Sequence, residues 1–289
     1  MKIAKKFETL RLNGYDAYIF SGVWCISAVK NHKPNALYLH TPMRILYDLK
    51  QYFLDKSNPL QRIAVKRFIK YWTPKDKTYM NQFDAIAANS GDVKKRVLRY
   101  YGRKLYSRTS VVYTGIETKK YRYIRSGDFY LSASRLDTLK RIDMLINAFK
   151  KMPNRRLVIA GTGPDETRLR KMAEGLRNIE FIRAVSDDDM RKLYGTCLAT
   201  IAANKDEDLG LVAIESHASG KPTAVIREGG FLETVNNRNG VFFDNEDGIP
   251  KALDKLEHKK WNRKLIQKSA SKYDIKVFSR NMVNIIKKL

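Results

Sequence analysis

Short apolar runs recur along this chain. Each is followed by a glycine-rich or polar loop and then by a segment of helical period, and that alternation limits the fold more than any other feature. In the C-terminal half the runs are 129–133, 157–160, 179–182, 198–202, 223–226 and 241–243. Between the first two, Ile142, Leu145, Ile146 and Phe149 follow the i, i+3, i+4, i+7 stripe of a helix with one buried face. Strands that alternate with helices need crossover connections, and these produce a parallel sheet covered on both faces. The spacing predicts the same class for the N-terminal half, with strands at 17–20, 36–39, 84–88 and 110–112 and helices near 60–72 and 91–101. The polar, basic stretch 117–127 reads as the boundary. It gives a first domain over 1–120, a second over 121–275, and a closing helix over 276–289 whose apolar side suits either domain, crossing back to the first being one of the two options.

Charge is spread unevenly over these halves. Residues 1–125 hold 26 Lys and Arg against 8 Asp and Glu, a net +18, and residues 126–289 hold 30 against 22, a net +8. A field of that sign draws anions: nucleic acid, acidic lipid or phosphorylated substrates. No helix-turn-helix, zinc or RNP-type pattern accompanies it, so nucleic acid has only the charge behind it and ranks last. No apolar stretch approaches the ~18 residues of a membrane span, and the opening residues lack the apolar core of a signal peptide. Cys25 and Cys197 stand alone and outside any metal-ligand spacing. The expected setting is therefore reducing and cytoplasmic, with peripheral contact to the cytoplasmic membrane face left open.

In open parallel sheets, ligands bind at the loops following the carboxyl ends of the strands. Three such loops carry chemistry. The loop after 129–133 reads Ser134-Arg135-Leu136-Asp137-Thr138-Leu139-Lys140 and sets two cations at a helix start, where a diphosphate would be welcome. The loop after 157–160 is Gly161-Thr162-Gly163-Pro164, whose glycines let backbone approach a ligand or simply turn the chain. The third, after 198–202, runs Asn204-Lys205-Asp206-Glu207-Asp208-Leu209-Gly210 into a helix that Gly220 and Pro222 stop. Its amino end frees the amides of 209–212. Glu207 precedes it, and Glu215 sits inside it among small and apolar neighbours, where a carboxylate needs a partner. Sugar and ribose hydroxyls would serve.

Glu207 and Glu215, with seven residues between them and followed by Ser219-Gly220-Lys221-Pro222, resemble the Glu-x7-Glu signature of retaining glycosyltransferases of family 4, group 1. Further stretches agree in order. They are Ser134-Arg135-Leu136 through Lys140-Arg141-Ile142-Asp143, Gly161-x-Gly163-Pro164, Gly229-Gly230-Phe231-Leu232-Glu233-Thr234-Val235, and Asn89-Ser90 before a basic helix. Tyr38-Leu39-His40-Thr41-Pro42-Met43-Arg44 is similar to a motif of polysaccharide-building mannosyltransferases.

The resemblance implies a GT-B fold, two Rossmann-like doubly wound domains, with hexose (mannose) transferred from a nucleotide sugar to a lipid-linked or glycan acceptor. It favours a GDP-sugar over a UDP-sugar. It implies that Arg135 and Lys140 neutralise the departing diphosphate and that Glu207 with the amides of Asp208, Leu209, Gly210 and Leu211 holds the hexose. Glu215 would bind the ribose, Gly161 and Gly163 would line the donor site, and His40 would line the sugar site from the facing domain. The family works without a cofactor and without a divalent metal, and no Asp-x-Asp is present here; Asp187-Asp188-Asp189 reads as a helix start.

Two departures stand against the family pattern. Leu209 occupies a position where Phe is usual, and the chain begins where Tyr15-Asp16-Ala17-Tyr18 would be a later strand of the first domain. The expectation is a truncated N-terminal domain whose open sheet edge is covered by a second copy or a partner subunit. The alternative is a catalytically inactive binding subunit of the same fold that needs a partner chain.

Overall fold

Short, mostly apolar runs make ten strands in a computed structural model that describes residues 2–183 and 185–289. They are β1 (Tyr18–Ser21), β2 (Asn35–Leu39), β3 (Ala85–Ala88), β4 (Thr109–Val111), β5 (Phe129–Ala133), β6 (Arg156–Ala160), β7 (Ile179–Ile182), β8 (Ala199–Ala202), β9 (Thr223–Ile226) and β10 (Gly240–Phe243). Each lies within a residue of the span expected from sequence. All recorded strand pairs are parallel, and two sheets result, ordered β1-β2-β3-β4 and β10-β9-β8-β5-β6-β7. The expectation of two Rossmann-like α/β units with parallel sheets is met, although only the second sheet reverses its strand order as a doubly wound sheet does.

Two compact units hold these sheets. One comprises the residues up to Thr114 together with Phe278–Leu289, and the other is Gly115–Val277. The second sheet is the Rossmann arrangement. Its chain winds outward through β5, β6 and β7, returns to place β8 beside β5, then winds the other way through β9 and β10. The core of this unit is self-contained: Leu131, Leu145, Phe149, Ile159, Ile201, Phe231 and Leu253 are fully buried in one cluster. Its two chain ends are pinned side by side. The Ile116 amide donates to the Tyr273 carbonyl at 2.9 Å, and the Ile275 amide donates to the Ile116 carbonyl at 2.9 Å.

The first unit has its own core around Leu37, Trp72, Phe83, Ile86 and Val97. The helix Ile275–Ile286 sends Phe278, Met282 and Ile285 against Ala36, Tyr38, Ala87 and Val112 of that unit. Two elements differ from expectation. The basic helix expected over 60–72 runs Pro59–Met80, straight through Pro74. Proline forfeits one backbone hydrogen bond, but the buried stripe continues past it through Asp76, Tyr79 and Met80. Asp76 accepts hydrogen bonds from the Tyr47 hydroxyl at 2.6 Å and the Tyr101 hydroxyl at 2.8 Å, so packing overrides the break. A helix at Lys2–Thr9, which no sequence signal suggested, is held by the Ser27 hydroxyl donating to the Ala4 carbonyl at 2.9 Å.

Because its core closes on itself, Gly115–Val277 expressed alone is expected to unfold in one cooperative thermal transition. A fragment with no near-ultraviolet dichroism and no transition would show that this core depends on the rest of the chain.

Candidate functional site

The strand order of the second sheet reverses between β5 and β8, so the loops leaving those two strands diverge and open a crevice at their carboxyl ends. After β5, the Asp137 carboxylate accepts the Leu139 amide at 3.0 Å and starts the single turn Thr138–Lys140. That turn sets Lys140 Nζ 2.8 Å from Glu207 Oε2 across the crevice. The backbone ties the same loops together, since the Lys205 amide donates to the Leu139 carbonyl at 2.8 Å. Asn204 Nδ2 donates to the same Glu207 oxygen. Glu207 is thus fixed by a cation from one loop and an amide from its own.

The loop after β8 is cradled from behind by the loop after β9. A Cβ on Gly229, whose φ is +54°, would lie 2.4 Å from the Glu207 carbonyl oxygen, and one on Gly230 would lie 2.5 Å from that of Asp208. Only glycine lets the two backbones come this close, and the Gly230 amide donates to the Glu207 carbonyl at 2.6 Å. Glu228, just before them, accepts from Arg141 Nη1 at 2.7 Å and from the Asp206 amide at 3.2 Å. Arg141 and Asp206 are the two non-glycine residues with positive φ among the described residues, at 48° and 46°. One carboxylate therefore clamps both strained positions on either side of the crevice.

Beside this lies a cavity of about 720 Å³, lined by Ser134, Arg135, the 160–164 turn, Met190, Tyr194 and Glu215. Arg135 reaches into open solvent, its side chain 71% exposed. Ser134 Oγ is buried without a hydrogen-bond partner, a state that polar groups rarely keep unless a ligand or water answers them. Glu215 borders the cavity from the helix Leu211–Ala218. Its Oε1 accepts from the Tyr121 hydroxyl at 3.0 Å and its Oε2 from the Tyr194 hydroxyl at 2.5 Å. Burial raises its pKa above the usual carboxylate value, against the lowering pull of the two phenols. Burial and the facing carboxylate raise both phenols in turn. The partner that the sequence argument sought for Glu215 in sugar hydroxyls is supplied in the first place by protein.

Gly161 and Gly163 line the cavity, but the structure gives them a further reason to be glycine. A Cβ on Gly161 (φ +145°) would sit 2.0 Å from the Ser134 carbonyl oxygen, and one on Gly163 2.2 Å from that of Leu136. They let the loops after β5 and β6 pack together, joined by the Leu136 amide donating to the Thr162 carbonyl at 2.9 Å.

Gly210 (φ +84°) begins the Leu211–Ala218 helix, whose first amides lack intrahelical acceptors and face outward with the positive end of the helix dipole. Leu209 is buried and Leu211 is 39% exposed. Asp208 stands between Glu207 and this helix start, half-buried. The Asp187–Thr196 helix opens on Ser186, whose hydroxyl accepts the Asp189 amide at 3.1 Å, with the three aspartates forming its first turn. His40 belongs to the other unit, at the carboxyl end of β2, with its Nε2 3.0 Å from Ser21 Oγ and its ring edge-on to Tyr38. Tyr121, Tyr194 and Glu228 went unforeseen. The tyrosines lie 94 and 21 residues from their partner, with no local signal, whereas Glu228 was marked by the glycine pair after it.

The sequence profile of the family described as glycosyl transferases group 1 matches residues 117–273. The chain is 28% identical over 155 residues to the sulfoquinovosyl transferase SQD2 of Arabidopsis thaliana, covering 50% of this chain and 30% of that protein. It is 34% identical over 116 residues to a GDP-mannose-dependent α-(1-6)-phosphatidylinositol dimannoside mannosyltransferase of Mycobacterium tuberculosis, covering 38% of this chain and 30% of that one. It therefore spans about a third of the length of these curated relatives. The crystal structure of Anabaena Alr3699/HepE in complex with UDP superposes with a TM-score of 0.72 at 16% identity, over 100% of this chain and 81% of that chain. The profile covers more than half of the chain and spans both loops that meet at the Lys140–Glu207 pair, so this protein belongs to the glycosyl transferases group 1.

Proposed function

We propose that this chain is a retaining, metal-independent hexosyltransferase that moves mannose from GDP-mannose to a lipid-linked or glycan acceptor. The observation that carries the reading is a pair of neighbouring features at the strand-order reversal: Arg135 and Glu215 line one cavity, and Lys140, from the same loop as Arg135, pairs with Glu207 at 2.8 Å. GDP-mannose is favoured because the name of one relative specifies that donor. When the sugar–phosphate bond breaks, positive charge grows on the sugar ring and negative charge on the diphosphate. Arg135 and Lys140 would meet the diphosphate charge, with the amides at the start of Leu211–Ala218 adding fixed dipoles nearby. Lys140 rests on Glu207, and a bound diphosphate would compete for that cation and release Glu207 to accept sugar hydroxyls. Glu215 keeps acceptor capacity beyond its two phenols, since a carboxylate offers about four lone-pair sites, and would hold the ribose.

A thermal-shift panel of nucleotide sugars tests the donor, because a ligand stabilises the native state according to its occupancy. GDP-mannose is expected to raise the melting temperature most, and EDTA to leave transfer unchanged. Failure of every nucleotide sugar to shift the transition would sink the reading.

Removing a cation from the departing diphosphate acts on the transition state. Lys140→Ala is expected to slow donor consumption by ~10²–10³-fold, and Glu207→Ala to abolish transfer. Binding that survives in both variants, with wild-type chain transferring to no acceptor, would instead identify an inactive binding subunit.

Glu215 gives a pH test. Its folded-state pKa is raised, so the folded chain holds that proton more tightly than the unfolded chain does. Its contribution to stability is present below the ordinary carboxylate value and is lost as pH rises through the folded value. Glu215→Gln is therefore expected to unfold at a higher temperature than wild type at pH 8, with the gap closing toward pH 4, while nucleotide binding weakens. A gap independent of pH would contradict the assignment.

A further inference from the structure

The helix Pro59–Met80 carries two apolar stripes, where a surface helix needs one. Phe68, Ile69, Trp72 and Tyr79 pack into the core of the first unit. Beside that stripe Leu60, Ile63, Ala64, Arg67 and Tyr71 follow a second helical face, and Phe68 borders both. Leu60 is 80% exposed, Ile63 51% and Tyr71 45%, around an open groove of about 650 Å³. A contiguous apolar face of this kind on a charged protein marks a contact site.

Its surroundings name the contact. This helix contains six Lys and Arg and one acid, Asp76, which is buried. Arg62, Lys66, Arg67 and Lys70 are exposed along and beside the apolar stripe, close enough for their stems to lie over it while their charges reach outward. The adjoining helix Lys2–Thr9 extends the pattern: Lys2 and Lys5 share a cleft with Tyr71 and Lys75, and Ile3 is 56% exposed.

We propose that this face docks on an anionic lipid surface, with Leu60, Ile63 and Tyr71 entering below the headgroups and the flanking cations resting among the phosphates. A second copy of the chain would bring like charge against like charge at the same rim. The positive charge is also spread through the whole of residues 1–125, at a net +18, rather than patterned to match one partner. The inference deepens the reading of a lipid-linked acceptor and rests on it only for its purpose, since docking requires no donor.

Flotation of the full chain with phosphatidylcholine vesicles, alone or with roughly one-third phosphatidylglycerol, tests it. Wild type is expected to float with the anionic vesicles, to be released by salt, and to ignore the neutral ones. Leu60→Ser with Ile63→Ser is expected to weaken binding by at least ~10-fold, and Lys66→Gln, Arg67→Gln and Lys70→Gln by about fivefold per cation. All these positions are exposed, so melting temperatures should match wild type, and either variant set suffices if the other is unstable.

Wild type that stays off anionic vesicles overturns the proposal, as does a serine variant that floats as well as wild type. Wild type that sizes as a dimer, and becomes monomeric in the serine variant, assigns the face to self-association. Capture of polyglutamate that depends on Leu60 and Ile63 while flotation does not assigns it to a protein. Nucleotide-sugar stabilisation, measured on the same samples, is independent: its loss would remove the transfer reading and leave the docking result standing.

Discussion

The site depends on backbone meeting backbone. Parallel strands whose order reverses between β5 and β8 leave their carboxyl ends uncovered, but an open crevice is only a gap until the loops around it have fixed positions. Here they are fixed to one another in series. Leu136 bonds to Thr162, Lys205 to Leu139, and Gly230 to Glu207, so the loops after β5, β6, β8 and β9 form one connected rim. Such contacts require chains to approach more closely than a Cβ permits, and Gly161, Gly163, Gly229 and Gly230 stand at those places. A binding site carried on main-chain bonds is pre-organised before any side chain is chosen, which is what charge stabilisation at a leaving group demands.

On that rim the two glutamates live in different environments, and their electrostatics follow. Glu207 stays within reach of water and is balanced by Lys140, in an ion pair whose side chains are 18% and 27% exposed. Its importance is geometric: it holds a cation and an acceptor at opposite sides of one gap. Glu215 lies deeper, without a cation, held by the hydroxyls of Tyr121 and Tyr194. A carboxylate kept by neutral donors costs the fold something when it ionises. Glu228 instead stabilises the αL backbone of Arg141 and Asp206 so that each loop leaves its strand in the required direction.

The sequence disclosed strands well because a buried parallel strand is almost pure composition. The runs at 129–133 and 223–226 carry no polar interruption beyond Ser132 and Thr223, and each became a strand with the expected ends. The loops around the crevice were legible through glycine and charge, because both report on local backbone. What stayed hidden depends on tertiary partners. Asp76 supplies a buried acceptor to two tyrosines and carries its helix past Pro74, although a sequence window sees only the break. Tyr194 reads as one more apolar position of an amphipathic helix until Glu215 is found 2.5 Å from its hydroxyl.

The charge asymmetry also changes meaning once ion pairs are visible. Residues 1–125 are hardly richer in bases than the remainder, with 26 in 125 positions against 30 in 164, but they hold 8 acids where the remainder holds 22. The asymmetry is therefore a depletion of acids. In the second unit those acids are spent on compensation: Arg155 meets Asp254 and Glu257, Arg168 meets Asp143 and Asp165, and Arg170 and Arg183 share Glu166. Each such pair cancels most of its own field beyond the Debye length, and the net charge of 126–289 falls to +8. In the first unit the acids are too few to do this, and Glu8, Asp48, Asp84 and Asp92 are each already engaged with one cation. Acids on a surface that meets anions would repel what the bases attract. A surface whose acids are paired holds its charges in fixed positions, whereas one that lacks acids keeps an uncompensated positive field that attracts anions.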